Sequence, residues 1–212
     1  MLVWINGPFG GGKTQTAHEI RRRLPGSVIC DPEHAGFGLR RMLPPGLRGD
    51  FQDLTSWRQG VVEVLDLALT RHEGVVIVPM TVVDAGYFAE TVGRLRELGH
   101  EVRHFTLLAE RETVLRRLRE RDVVRFLGHL GGGGRYAGPA RENWAVAQLD
   151  HCLERLRGAE FAEHLWTDRT TVPRTADRIA VLAGLTLTPN GEGALRTRLR
   201  QAGVGLKHIR FD

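Results

Sequence analysis

Residues 7–14 read Gly-Pro-Phe-Gly-Gly-Gly-Lys-Thr: a glycine, four residues, then glycine, lysine and threonine. Those residue types at that spacing bind phosphate groups. Gly7, Gly10, Gly11 and Gly12 let the backbone curl tightly and turn its N–H groups toward an anion. Lys13 brings a compact positive charge to the β- and γ-phosphates of a nucleotide, and the Thr14 hydroxyl suits Mg²⁺. A helix beginning here aims the positive end of its dipole at the same anion. Lysine usage sharpens the signal. Of 30 basic residues only Lys13 and Lys207 are lysines, so one of the two stands where the chemistry asks for it.

Other side chains fit phosphoryl transfer. Asp31 follows a short apolar run and suits a carboxylate that orients an acceptor hydroxyl or takes its proton; it equally suits a turn before Pro32. Glu33 is a lesser candidate beside it. Arg117 and Arg121 lie four apart on one helix face, and guanidinium groups on a lid stabilise charge developing on a transferred phosphoryl group. Arg116 reads instead as a solvated partner of Glu112. Between the second and third strands, Phe51 offers a face to a planar ring and Asp53 and Arg58 are open candidates for substrate contact, whereas Trp57 reads better as core. The third strand ends Pro79-Met80-Thr81 with no acid to hold Mg²⁺ through water. Thr81 or Asp84 is a weak polar substitute. That gap, and the lack of an Asn-Lys-x-Asp base-reading motif, argue against motor ATPases and GTPases.

The elements that must carry these residues alternate between strand and helix, which predicts a parallel sheet with helices on both faces. Predicted strands are Leu2–Asn6, Ser27–Cys30, Val75–Val78, Val102–Leu108 and His164–Thr167, in the order 2-3-1-4-5. Predicted helices include Thr55–Arg71, with Trp57, Val61, Val64, Leu65 and Ala68 toward the core. Another is capped by Asp84 and stopped by Gly99; a charged one covers Arg111–Arg121; the last core helix is Thr175–Ala183. Residues 122–141, with Gly131–Gly134, read as a mobile loop, so a lid is expected over about 117–141. Ligands bind beyond the carboxyl ends of such strands, where residues 7–14, Asp31 and Thr81 all fall.

The 212 residues predict one domain over 1–188 with a basic extension, 189–212. In the extension Leu195, Leu199, Ala202 and Leu206 share a face. It reads either as an amphipathic helix resting on a membrane or as a terminal helix packed on the domain. No run of 18 apolar residues occurs, and no leader pattern opens the chain. Two cysteines without ligand spacing suit a reducing cytoplasm and no zinc. The net charge of +5 suits an anionic ligand. Basic stretches interleaved with aromatics are missing, so no nucleic acid is expected.

Several stretches together resemble the tunicamycin-resistance proteins of the P-loop kinase superfamily. They are Trp4 to Ala17, Asp31-Pro-Glu33 with Gly36-Phe37 and Leu39-Arg40, Asp50-Phe-Gln52 with Trp57-Arg58, and Ile77-Val-Pro-Met-Thr81 with Tyr87-Phe88. His104-Phe-Thr-Leu107, Glu112-Thr113, Arg117-Leu-Arg119 and Leu206 to Arg210 complete the match. It runs through nearly the whole chain and departs at about 122–141. The resemblance implies a P-loop NTPase fold, bound ATP, and protection against tunicamycin, a nucleoside antibiotic with uracil, sugars and a fatty chain. It also implies a C-terminal segment that associates with membrane. Two activities remain open: Mg²⁺–ATP-dependent phosphorylation of the drug, and ATP-dependent sequestration without transfer.

Overall fold

A computed structural model describes residues 1–130, 148–191 and 203, with side chains described for all of these except 121–130. Strand β1 (Leu2–Asn6) is buried at every residue. Successive side chains of a strand point to opposite faces. Leu2 and Trp4 accordingly join one core layer, and Val3 and Ile5 the other. Around β1 lie β2 (Val28–Ile29), β3 (Val76–Pro79), β4 (Val102–Leu108) and β5 (His164–Trp166), all parallel, in the order β2-β3-β1-β4-β5. The predicted sheet is therefore present, its strands differing by a residue or two at their ends.

Helices cover both faces. On one, α1 (Lys13–Arg23) and α7 (Val172–Leu182) bury Ala17, Ile20, Ala176 and Ile179 against Val3, Ile5 and Phe105. On the other, α3 (Thr55–Arg71) brings Trp57, Val61 and Leu65 against Trp4 and Val78. Each fully buried aliphatic side chain of this kind contributes about 1.5–3 kcal/mol. The four-residue spacing of Trp57, Val61 and Leu65 makes the buried line. Val64, expected in the core, stands on the flank and is 61% exposed. Helix α4 (residues 85–97) opens at Asp84, whose carboxylate accepts the Tyr87 N–H. One π turn, Ala89–Gly93, interrupts it where the Thr91 hydroxyl donates back to the Tyr87 carbonyl.

Two elements depart from the sequence reading. Helix α2 (Glu33–Met42) was not expected, because Gly36 and Gly38 mask its pattern. Helix α5 runs from Arg111 to Leu130, so residues 122–130, expected as loop, are helical. A lone Gly128 costs a helix only about 1 kcal/mol, and the glycine run starts at 131. Residues 131–147 lie outside the described residues, as does most of the expected C-terminal extension. Helix α6 (Leu149–Leu156) then returns the chain to β5. Among the described residues no helix is long and apolar enough to cross a membrane.

The tail before residue 191 is pinned to the end of α1 farthest from residues 7–14. Arg23 Nε donates to the Thr188 carbonyl at 2.7 Å, and Arg22 donates to the Asn190 side chain at 2.8 Å. Arg23 also pairs with Asp177 at 2.6 Å, joining α1 to α7.

His104 on β4 is buried, with Nδ1 2.9 Å from the Ala162 carbonyl and its ring edge-on to Phe88. Burial pushes its pKa down to about 4, against the pull of the Ala162 hydrogen bond. The unfolded chain therefore takes up a proton here at a higher pH than the fold does. Stability is unaffected by this group above pH 6.5 and falls by about 3 kcal/mol as the pH drops from 6.5 to 4. Denaturant titrations across that window check the slope, and His104→Gln should remove this part of it.

Candidate functional site

Residues 7–12 leave the carboxyl end of β1 and lead directly into α1. The loop is held at its first peptide. Asn6, fully buried, accepts the Gly7 N–H at 2.9 Å and the Val82 N–H at 3.0 Å, and donates to the Val82 carbonyl at 2.8 Å. The Gly7 carbonyl accepts from the Thr81 hydroxyl at 2.9 Å. Gly7 has φ +149°, and a Cβ there would lie 2.7 Å from the Leu107 carbonyl oxygen. A glycine is required by both backbone and neighbour. Lys13 is buried, and its Nζ donates to the Gly7 and Pro8 carbonyls at 2.9 and 3.0 Å. The first turn of α1 has no side-chain cap. The positive end of its dipole favours an anion at residues 7–12. Thr14 stands in that turn next to Lys13.

Phe9 and Gly10 touch a separate apolar cluster. Phe9 packs on Ala109, Val114, Leu118, Leu149 and Leu153, so the loop rests against α5 and α6. Cys152 on α6 is buried; burial pushes its thiol up to about 11 despite the nearby Lys13 charge. It is held as a thiol, consistent with a packing role.

On the β4–β5 flank, Arg117 donates to the Thr167 hydroxyl at 3.0 Å and to its carbonyl at 2.7 Å. Burial lowers its pKa while the Asp168 charge raises it. Asp168 accepts the Glu110 N–H at 2.9 Å. Burial would raise this carboxyl, but hydrogen bonds from Glu110 and Thr113, with the Arg117 charge, hold it below the usual range. An open cleft of about 290 Å³ lies here, lined by Glu110, Trp166, Asp168, Arg169 and Thr170. Arg121 follows Arg117 by one turn of α5; its side chain lies outside the described residues.

The β2–β3 flank holds the remaining candidates. Asp31 follows β2, and its Oδ1 accepts the Glu33 N–H at 3.0 Å, shaping the turn into α2. Trp57 is core, as read, and in addition its Nε1 donates to the Pro32 carbonyl at 3.0 Å, fixing the Asp31 turn. Phe51 is half-buried. It packs edge-on to Phe37 at 5.6 Å and against Trp57 at 5.4 Å. Arg58 is buried and engaged: Nε donates to Glu90 at 2.6 Å, NH1 to the Gln52 carbonyl, and NH2 to Thr55 Oγ1 at 3.3 Å. Its guanidinium also lies 4.3 Å from the Tyr87 ring centroid. Asp53 accepts the Tyr87 hydroxyl at 2.9 Å, which raises the phenol pKa. Sequence reasoning gave no role to Asn6, Glu90, Tyr87 or Asp168. Only the position of Asn6, directly before the loop, was a signal.

A family model described as an AAA domain matches residues 2–126. The tunicamycin resistance protein of Deinococcus radiodurans is 33% identical, with 89% of this chain and 98% of that one covered at a TM-score of 0.69. A sugar kinase from Janibacter sp. HTCC2649 is 18% identical over 87% of this chain and 95% of its own, TM-score 0.57. The Mycobacterium tuberculosis APS kinase CysC, solved with AMPPNP and APS, is 14% identical over 86% of this chain and 96% of its own, TM-score 0.50. The two kinases share the fold with this chain. No curated protein matches it.

The packing at Phe51 is tight enough to test. A Cβ at Gly36 would fall 2.4 Å from the Phe51 ring. Gly36→Ala should destabilise the protein by about 1–3 kcal/mol through overpacking. Because the clash is with one side chain, combining it with Phe51→Ala should give less than the sum of the two single losses. Denaturation midpoints of the four proteins measure this.

Proposed function

We propose a function from the premise that this chain belongs to the tunicamycin-resistance proteins, a P-loop kinase-like family: it is a Mg²⁺–ATP-dependent phosphotransferase acting on a hydroxyl of a nucleoside-like antibiotic. The observation that carries this reading is the placement of the phosphate loop between two different flanks. The β4–β5 cleft, with the aromatic surface of Trp166, suits the nucleoside end of ATP. The triphosphate then runs over residues 7–14, and its terminal phosphate faces the β2–β3 flank, where Asp31 stands. Lys13 exchanges its loop carbonyls for the β- and γ-phosphates. Arg117 charges the wall of the nucleotide site from its seat on Thr167, and Arg121, one turn further on, is assigned to the transferred group.

In the transfer step the acceptor oxygen attacks the γ-phosphorus and the bond to the ADP oxygen breaks. The acceptor proton passes to the Asp31 carboxylate and ADP leaves. Mg²⁺ is ordinarily held by phosphates, water and one or two protein oxygens, and the first turn of α1 offers such an oxygen beside Lys13. Thr14 is the hydroxyl for it, and the ion would neutralise charge on the phosphates. Glu33 and Asp53 are assigned, more weakly, to contact with the acceptor. Phe51 and Arg58 support that wall through their packing. Transfer would occur in the cytoplasm; a membrane contact, if made, falls to residues 189–212.

One observation favours a second reading, ATP-dependent binding of the drug without transfer. Asp31 uses one oxygen to hold the Glu33 amide, and the strand-three position that carries an acid in many ATPases holds Thr81 instead. Incubating the protein with Mg²⁺–ATP and tunicamycin and weighing the drug separates the two. The kinase reading expects a phosphoryl mass gain that Lys13→Ala slows by about a hundredfold or more. Unchanged drug retained only when ATP is present would replace it with sequestration.

A further inference from the structure

The carbonyl of Gly7 is shared. Thr81 Oγ1 and Lys13 Nζ both donate to it at 2.9 Å, and Lys13 donates to the Pro8 carbonyl as well at 3.0 Å. Thr81 is buried, 5% exposed, one residue past the end of the β3–β1 contact where Met80 N–H donates to the Ile5 carbonyl. Asn6 meanwhile holds the Gly7 N–H at 2.9 Å. Both polar groups of Gly7 are therefore tied to buried side chains on neighbouring strand ends.

Lys13 in this arrangement lies on its own loop. In the phosphotransferase reading, on which this inference rests, its ammonium turns to the phosphates and gives up loop carbonyls. A buried carbonyl left without a donor destabilises the arrangement that leaves it so. We propose that Thr81 is a positioning residue for nucleotide binding: it keeps the Gly7 carbonyl paired once Lys13 moves to the phosphates, so the loop holds its shape with nucleotide bound. This gives the strand-three position a task other than metal binding. Its hydroxyl proton points at the loop, and the loop's first peptide depends on it only in the occupied state.

A purely structural hydroxyl would matter equally in both states. Here the nucleotide-free protein still has Lys13 on Gly7, so removing the Thr81 hydroxyl leaves its stability nearly unchanged. The test uses the full chain as wild type, Thr81→Val, Thr81→Ala and Thr81→Ser. Binding of Mg²⁺–ADP and of Mg²⁺–ATP is measured by titration calorimetry, and thermal unfolding is measured with and without nucleotide. Thr81→Val and Thr81→Ala should bind nucleotide about three- to tenfold more weakly. The nucleotide-free midpoint of Thr81→Val should stay within about 2 °C of wild type, and Thr81→Ser should restore affinity. Thr81→Ala guards against crowding by valine at a buried site. Wild-type affinity in both variants overturns the proposal, as does a midpoint loss in Thr81→Val without nucleotide as large as the loss with it. A wild-type protein that binds no nucleotide overturns the phosphotransferase reading itself, and this role with it.

Discussion

The peptide group of Gly7 is the constraint on which the site depends. A loop that receives a phosphate must keep its N–H groups turned outward, yet this one starts in the middle of a buried sheet. Buried backbone groups have to be paired. The molecule meets both demands by pairing the first peptide with side chains: Asn6 for the N–H, Thr81 and Lys13 for the carbonyl. This works only because β1 and β3 are neighbours. That adjacency brings Thr81 and Val82, more than seventy residues away, against the loop.

The two flanks are held in different ways. Toward β4 and β5 the ties are electrostatic and run along the cleft, with Arg117 on Thr167 and Asp168 on the Glu110 amide. Toward β2 and β3 they are largely aromatic. Phe37, Phe51 and Trp57 pack in series, Trp57 holds the Asp31 turn, and Arg58 lies between Tyr87 and Glu90. A tight polar wall and a packed aromatic wall on opposite sides of one loop suit two ligands of different character.

Much of this was legible in the chain. The phosphate-loop pattern, the strand positions and the cap at Asp84 rest on signals a few residues long: glycine types, β-branched runs, an aspartate before a helix. Helix α2 escaped because two glycines interrupt its pattern, and Val64 was misplaced because a helix face is narrower than a list of apolar residues. Arg58 and Phe51 were open as substrate contacts from sequence; what the sequence did not record is that Arg58 bonds Glu90 and that Phe51 packs on Phe37 and Trp57.

The sequence by itself determined that a phosphate-binding loop follows a buried strand in a parallel α/β sheet, because each of those features is encoded by neighbours within a turn or two. Only the tertiary structure decided which polar side chains are already engaged. Arg58 is held by Glu90 from 32 residues away, Arg117 by Thr167 from 50, and Gly7 by Thr81 from 74. Such pairings arise when the parallel sheet brings strand ends and the helices beside them together, and no local pattern of residues records them.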